Sequence, residues 1–302
     1  MFEGACVAVV VPAFDEGRLI ARALARVPAF VDLVVVVDDG SRDDTAARAR
    51  ACGDARVVVV SHGVNRGVGA AIASGYDAAF RAGAEVAVVM AGDAQMDPAD
   101  LPALLAPVLR GEADYAKGDR LSHPGVRTAM PRARFVGNHV LSALTRLATG
   151  LPIRDAQCGY TALSRTGAGR LALDALWPRY GYPNDLLGRA AAAGLRVRDV
   201  TVRPVYADET SGIGLRHALF VVPFVLARVV ARRARALVAP PRTAVALPAS
   251  HAHATELAPA RLASLSRPAS LSRPASLSRP ASLSRPASLS RPASLSRPER
   301  RG

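Results

Sequence analysis

The sequence predicts an α/β fold with a mainly parallel central sheet, and three features carry that expectation. Four unbroken apolar runs of strand length stand at Val7–Val11, Val34–Val37, Val57–Val60 and Val86–Met90. Unbroken runs, as opposed to alternating ones, belong to strands buried on both faces, as in parallel sheets covered by helices. The segments between the runs have helical spacing, and each run is followed at once by a polar cluster. Ligand sites in such sheets lie outside the carboxyl ends of the strands, so those clusters are the candidates for chemistry.

The elements follow in order. Asp15–Val27 reads as a helix with Leu19, Ala23, Leu24 and Val27 on one face. Asp43–Ala51, Ala70–Phe80 and Ala99–Leu109 supply the next three helices, and Tyr115–Lys117 is a fifth strand-like segment. Beyond it, Pro131–Thr149, Thr166–Leu176 and Asn184–Ala193 read as helices and Leu195–Val202 as a strand. The segment Leu215–Leu237 joins an apolar run, Ala218–Val230, to Arg216, Arg228, Arg232, Arg233 and Arg235. That run is too short to span a bilayer. It is expected to form an amphipathic helix in a membrane interface, bent or split at Pro223; a terminal helix docked on the protein's own core fits the same pattern.

From Ala239 the composition turns to Pro, Ala and Ser, and residues 263–298 are six consecutive copies of Ala-Ser-Leu-Ser-Arg-Pro. One Leu per repeat cannot build a core and Pro every six residues forbids a helix, so disorder is expected there. The expected organisation is a folded domain over 1–213, interface helices over 214–238 and a disordered tail over 239–302.

Half of the 302 residues are apolar but only 5% are aromatic, which predicts an aliphatic core. The formal charge of +14 is unevenly spread: residues 214–302 hold 15 Lys/Arg against 2 Asp/Glu, and residues 1–213 hold 24 against 23. A nearly neutral domain argues against a nucleic-acid partner, whereas a basic tail suits anionic lipid headgroups or plain solvent. Three cysteines without a CxxC pair exclude a Cys-based metal site and fit a reducing compartment. With no signal-peptide pattern before Val7 and no run of 18 apolar residues, a cytoplasmic location is expected, peripherally associated with the inner face of the cell membrane.

The polar clusters are Pro12–Glu16, Asp38–Thr45, His62–Gly69 and Gly92–Pro98. Asp38-Asp39-Gly40-Ser41 is a turn signal, with Ser41 and Asp43 both suited to cap a helix. Gly67-Val68-Gly69 suits a phosphate at a helix N-terminus, although it follows the third strand and not the first. Asp93 and Asp97 suit a divalent cation that takes a few carboxylates plus phosphate oxygens, and equally a solvated loop.

Together and in this order the clusters resemble the family 2 glycosyltransferases, and are most similar to the branch of dolichyl-phosphate mannose synthase and bacterial polyprenyl-phosphate glycosyltransferases. Val-Val-Pro-Ala-Phe-Asp-Glu at 10–16 looks like the family's opening motif, with Pro12, Phe14 and Glu16. Val37–Ser41, with Asp38 and Asp39, looks like its base-and-ribose turn, and Asn65-Arg66-Gly67-Val68-Gly69 like its glycine-rich helix start. Asp93-Ala94-Gln95 is similar to the second half of its metal motif, whose first position here is Ala91. Lys117-Gly118-Asp119-Arg120 and Asp155-Ala156-Gln157-Cys158-Gly159-Tyr160 resemble its acceptor-phosphate and reaction-centre segments.

The resemblance covers about residues 5–235. It implies a Rossmann-like (GT-A) nucleotide-sugar-binding catalytic domain over 1–213, with Mg²⁺ or Mn²⁺ held by Asp93 and Gln95, with or without Asp97. It also implies a nucleotide-sugar donor, a polyprenyl-phosphate lipid acceptor and action at a membrane surface. The family's Arg/Lys near Glu209–Ile213 has no evident match, so Arg132, Arg134, Arg203 or Arg216 would join Arg120, Asp155 and Gln157 around the acceptor phosphate. A hydroxyl acceptor would need a general base, for which Asp185 is the candidate; a phosphate acceptor would not, because its second pKa of about 6 leaves it largely anionic. Asp185 then contacts a sugar hydroxyl, or caps a helix together with Asn184. Ala91 keeps a third reading open, an impaired homologue retained for membrane scaffolding.

Overall fold

The computed structural model describes residues 1–93, 95–206 and 221–238. The expectations for Glu209–Ile213, Arg216 and the repeats over 239–302 lie outside the described residues.

Seven strands form one sheet: β1 (Val7–Ala13), β2 (Leu33–Asp38), β3 (Val57–Ser61), β4 (Val86–Val89), β5 (Tyr115–Asp119), β6 (Thr161–Ser164) and β7 (Val197–Thr201). Their order is β3-β2-β1-β4-β6-β5-β7. The pairs β1–β2, β1–β4, β2–β3 and β5–β7 are parallel, whereas β6 runs antiparallel to both β4 and β5. Among the described residues the helices are α1 (Ile20–Ala25), α2 (Thr45–Arg50), α3 (Val68–Arg81), α4 (Leu101–Leu109), α5 (Val126–Ala129), α6 (Arg132–Thr149), α7 (Arg165–Ala168), α8 (Tyr182–Ala192) and α9 (Val222–Val238).

The unbroken valine runs do what their pattern requires. In β1, Ala8 and Val10 join Ile72 and Tyr76 of α3 and Leu186 and Leu187 of α8 in one core layer. Val7, Val9 and Val11 join Ile20 and Leu24 of α1 and Leu101, Leu104 and Leu105 of α4 in the other. Every residue of β2 and β4 is buried, and each such aliphatic side chain contributes about 1.5–3 kcal/mol by leaving water.

Two expectations are corrected. The helix predicted over Asp15–Val27 is α-helical only over Ile20–Ala25. The N–H groups of Asp15, Glu16 and Gly17 donate to Ser41, Thr45 and Asp43 side chains from the next loop, which holds that stretch outside a helix. The helix predicted over Thr166–Leu176 is instead the short α7 and a 3₁₀ turn at Leu173–Ala175, and β6 just before it had no apolar run to announce it. Pro223 is the second residue of α9 as described, and the expected bend there involves residues before Val221 that lie outside the described ones.

The faces of α6 and α9 matter for the site. On α6, Asn138, Ser142, Thr145 and Thr149 are buried, whereas Val136, Val140, Leu144 and Leu147 are 45–80% exposed along the opposite stripe. The buried polar groups are satisfied: Ser142 Oγ accepts from Ala156 N and Thr145 Oγ1 accepts from the Asn184 amide. On α9, Val222, Val225 and Val229 are buried, Arg232 reaches Asp185 of α8, and Arg233 donates to the Leu147 carbonyl at the end of α6.

Candidate active site

The reversal of β6 gathers the site. Strands β1 to β5 and β7 point their carboxyl ends to one edge, and the segment Asp155–Tyr160 reaches the same edge because it enters an antiparallel strand. The chain order reverses direction at β1, which lies between β2 and β4, the position where a doubly wound sheet opens a crevice.

At the β1–β2 side, Asp15 adopts φ 55° and its carboxylate takes Arg42 N at 2.7 Å and the Arg42 guanidinium at 2.6 and 3.1 Å. These bonds hold the Asp15 pKa below its usual value. Phe14 is partly exposed beneath the Arg42 guanidinium, 5.6 Å from its ring centroid, and Pro12 O accepts from Gly92 N of the β4 loop. Asp38 accepts from Ser41 N and so closes its own turn.

Asp39 is buried and accepts three bonds, from Arg66 N (2.9 Å), Gly67 N (2.7 Å) and His62 Nδ1 (2.7 Å). His62 in turn meets Ser74 Oγ of α3 at 2.9 Å, so Asp39 ties the β3–α3 loop to β2, with Asn65 exposed at its tip. The helix-start donors offered to a phosphate by the sequence are engaged differently: Gly69 N and Ala70 N both donate to Pro178 O. A Cβ on Gly69 would overlap the Trp177 carbonyl and one on Gly67 the Pro178 carbonyl, so these glycines let the Trp177–Pro178 segment approach.

On the β4 loop, Asp93 accepts from Gln95 N at 3.0 Å. Asp97 caps the following 3₁₀ turn and pairs with Arg203 at 2.7 Å. That ion pair, with the one to Asp100, commits Arg203 to carboxylates and draws Asp97 away from a cation. Among the described residues no group of three His, Cys, Asp or Glu side chains stands together as a metal cage. A Mg²⁺ or Mn²⁺ ion on this loop would take Asp93 with Gln95 and complete its shell from phosphate oxygens and water.

Just past the carboxyl end of β5, Arg120 forms a two-pronged pair with fully buried Asp155, at 2.8 and 3.1 Å. Burial would raise the Asp155 pKa, but Arg120 and then Lys117 hold it below the usual range. Lys117 is itself fully buried, donates to the Cys158 carbonyl, and has its pKa lowered by desolvation. Arg134 lies 5.1 Å over the Tyr206 ring, while Arg132 is exposed at the start of α6. Gln157 donates to the Asn184 amide oxygen, so its side chain is anchored to α8.

Asp185 is fully buried on α8 and accepts from Arg189 Nε (2.9 Å), Arg232 Nη1 (3.0 Å) and Trp177 N (3.0 Å). Burial alone would raise its pKa; the two arginines reverse that and hold it low. It does not cap α8, which begins three residues earlier at Tyr182.

Residues 8–171 of the 302 match the family described as Glycosyl transferase family 2. The chain is a family 2 glycosyltransferase. Polyprenol monophosphomannose synthase of Mycolicibacterium smegmatis is 33% identical over 224 residues, covering 71% of this chain and 84% of that protein. The UDP-N-acetylglucosamine–dolichyl-phosphate N-acetylglucosaminyltransferase of Methanococcus voltae is 26% identical over 220 residues, covering 68% and 88%. Among solved structures, glucosyl-3-phosphoglycerate synthase from Mycobacterium tuberculosis in complex with Mn²⁺, UDP and phosphoglyceric acid superposes with a TM-score of 0.56 at 26% identity, over 76% of this chain and 79% of that one.

Within this glycosyltransferase, sequence reasoning missed the contacts that join distant segments. His62 carried a signal, a lone histidine after β3, but its partner Asp39 is 23 residues away. The Trp177–Pro178 segment, more than 100 residues from the start of α3 that it meets, carried none.

Proposed function

We propose that this glycosyltransferase moves a sugar from a nucleotide-sugar donor to a polyprenyl phosphate at the cytoplasmic face of a membrane, with a divalent cation beside Asp93. The observation that favours a phosphate over a hydroxyl acceptor is the state of Asp185. Three donors, two of them guanidinium groups, occupy its carboxylate, which leaves a weak proton acceptor where a hydroxyl acceptor would need a strong one. A phosphate monoester attacks the anomeric carbon through an oxygen already ionised, and the bond to the nucleoside diphosphate breaks as the new one forms. The residues that would hold the groups at the nucleotide end are Pro12, Phe14, Glu16, Asp38 and Asn65, with Asp39, Gly67 and Gly69 shaping the β3–α3 loop beside them. Arg120, Arg132 and Arg134 are the cations for the acceptor. The relatives named for dolichyl phosphate and polyprenol acceptors support the same reading.

The membrane surface is supported by α6, which buries its polar side and exposes Val136, Val140, Leu144 and Leu147. An outward apolar stripe is the reverse of a helix on a soluble domain. From Arg120 to Arg154 the chain has six arginines and no acidic residue, which complements an anionic lipid surface. No helix among the described residues is long and apolar enough to cross a membrane. The test supplies purified protein with vesicles carrying polyprenyl phosphate and a panel of labelled nucleotide sugars. Label should enter the lipid fraction, and Val140→Glu with Leu147→Glu should cut vesicle binding about tenfold or more, as loss of two apolar side chains from the lipid contact implies. Transfer only to water-soluble hydroxyl acceptors would overturn the proposal.

A further inference from the structure

Helix α9 connects to the nucleotide end of the site through an unbroken run of contacts. Arg232 binds Asp185 Oδ1, and Asp185 Oδ2 accepts from the backbone N–H of Trp177. The Trp177 ring is gripped from the same helix, with the Arg228 guanidinium 5.6 Å from its centroid and the Phe224 ring 5.7 Å away. Its indole N–H donates to Tyr180 O. The next residue, Pro178, has a fixed φ and so transmits the position of Trp177 stiffly. Its carbonyl accepts from Gly69 N at 2.8 Å and Ala70 N at 3.2 Å, the first turn of α3. Gly67 N, at the residue just before α3, is held by Asp39.

We propose that α9 is a positioning element for nucleotide binding: Arg228 and Arg232 press the Trp177–Pro178 segment onto the start of α3 and so fix the β3–α3 loop. This rests on the reading of that loop and the Asp38–Gly40 turn as the nucleotide end of the site. The consequence is specific. Loosening α9 weakens nucleotide binding in the absence of any membrane or lipid, beyond whatever α9 does at a bilayer. Each link is a short contact between packed groups, the kind of network through which two sites bias one element.

Trp177 is the single tryptophan of the chain, so its fluorescence reports the packing of α9 directly. The full chain and the variants Arg228→Ala, Arg232→Ala, Arg232→Lys and Gly69→Ala would be titrated with UDP and GDP in the presence of Mn²⁺ and without lipid. The two alanine variants at α9 should shift the Trp177 emission and raise the nucleotide Kd about tenfold, within the range of site-to-site couplings. Donor KM should rise with kcat little changed, and Arg232→Lys should recover most of the affinity; a purely structural role would lower Tm without separating KM from kcat. Arg228 is exposed, so Arg228→Ala keeps the test intact where Arg232→Ala fails to fold. A shifted emission with unchanged Kd, beside a Gly69→Ala variant that binds weakly, overturns the coupling. Normal binding by Gly69→Ala as well overturns the nucleotide-end reading beneath it.

Discussion

Replacing Asp185 with Asn separates a structural carboxylate from a catalytic base. The side chain is fully buried and accepts from Arg189, Arg232 and Trp177 N at 2.9–3.0 Å. An amide in its place turns one acceptor oxygen into a donor and leaves two guanidinium groups without their counter-charge. Breaking a buried pair in this way costs about 3–5 kcal/mol. Arg232 keeps a quarter of its side chain in solvent, so the lower end, about 3 kcal/mol, is expected. In a domain of this size that lowers Tm by about 6–12 °C. The depressed pKa gives the pH dependence: the stabilisation is present above the ordinary carboxylate range and is lost as pH falls through the folded-state value. Thermal melts of both proteins from pH 3 to pH 8 should therefore converge in acid. Transfer to lipid phosphate, assayed at a temperature where both are folded, should fall only a few-fold. A variant that melts like the parent but loses about 10³-fold or more in kcat, the scale of general-base loss, would refute this and return Asp185 to that role.

Two other outcomes follow from the structure. Asp93→Ala should abolish the Mn²⁺ dependence of UDP binding and reduce turnover about 10²-fold or more, with Tm nearly unchanged because Asp93 sits in a loop; Mn²⁺-dependent binding that survives would remove Asp93 from the cation site. Asp199 has one carboxylate oxygen buried without a partner, and burial, then the neighbouring Asp119, raises its pKa to about 6. The folded state thus retains a proton that the unfolded chain releases, so stability falls as pH rises from about 4 to 6 and stays lower above. Partial solvent access reduces the effect, and Asp199→Asn should gain about 1–2 kcal/mol at pH 7.5 while flattening that slope; parallel Tm–pH curves for both proteins would count against it.

The parallel half of the sheet was legible because Val34–Val37 and its counterparts are buried on both faces, and burial on both faces leaves no polar alternation to misread. Strand β6 was not, since Thr161–Ser164 is four residues long and gains its place only by pairing with β4 and β5, far away in sequence. The same division holds at the site. Which loops carry the chemistry could be read from the clusters after each strand, because topology sends those loops to one edge. What each side chain does there depended on partners that spacing cannot reveal. Asp39 ties down a loop, Gly69 admits a carbonyl, Arg203 belongs to Asp97 and Asp185 is clamped by two arginines, one of them 47 residues away.

The antiparallel seam at β6 also orders assembly. Strands β1 to β4 find all their mutual partners within the first 90 residues, so this half of the sheet can pair before the rest is made. Strand β5 then emerges with no neighbour to pair with, because its two partners, β6 and β7, are still unmade. Lys117 would then stay hydrated until residues 161–164 pair with β4 and β5 and bring in the Cys158 carbonyl that receives it. On that order the ammonium would be desolvated when its acceptor is already fixed, and chain growth from the N-terminus would separate this costly burial from the pairing of the valine strands.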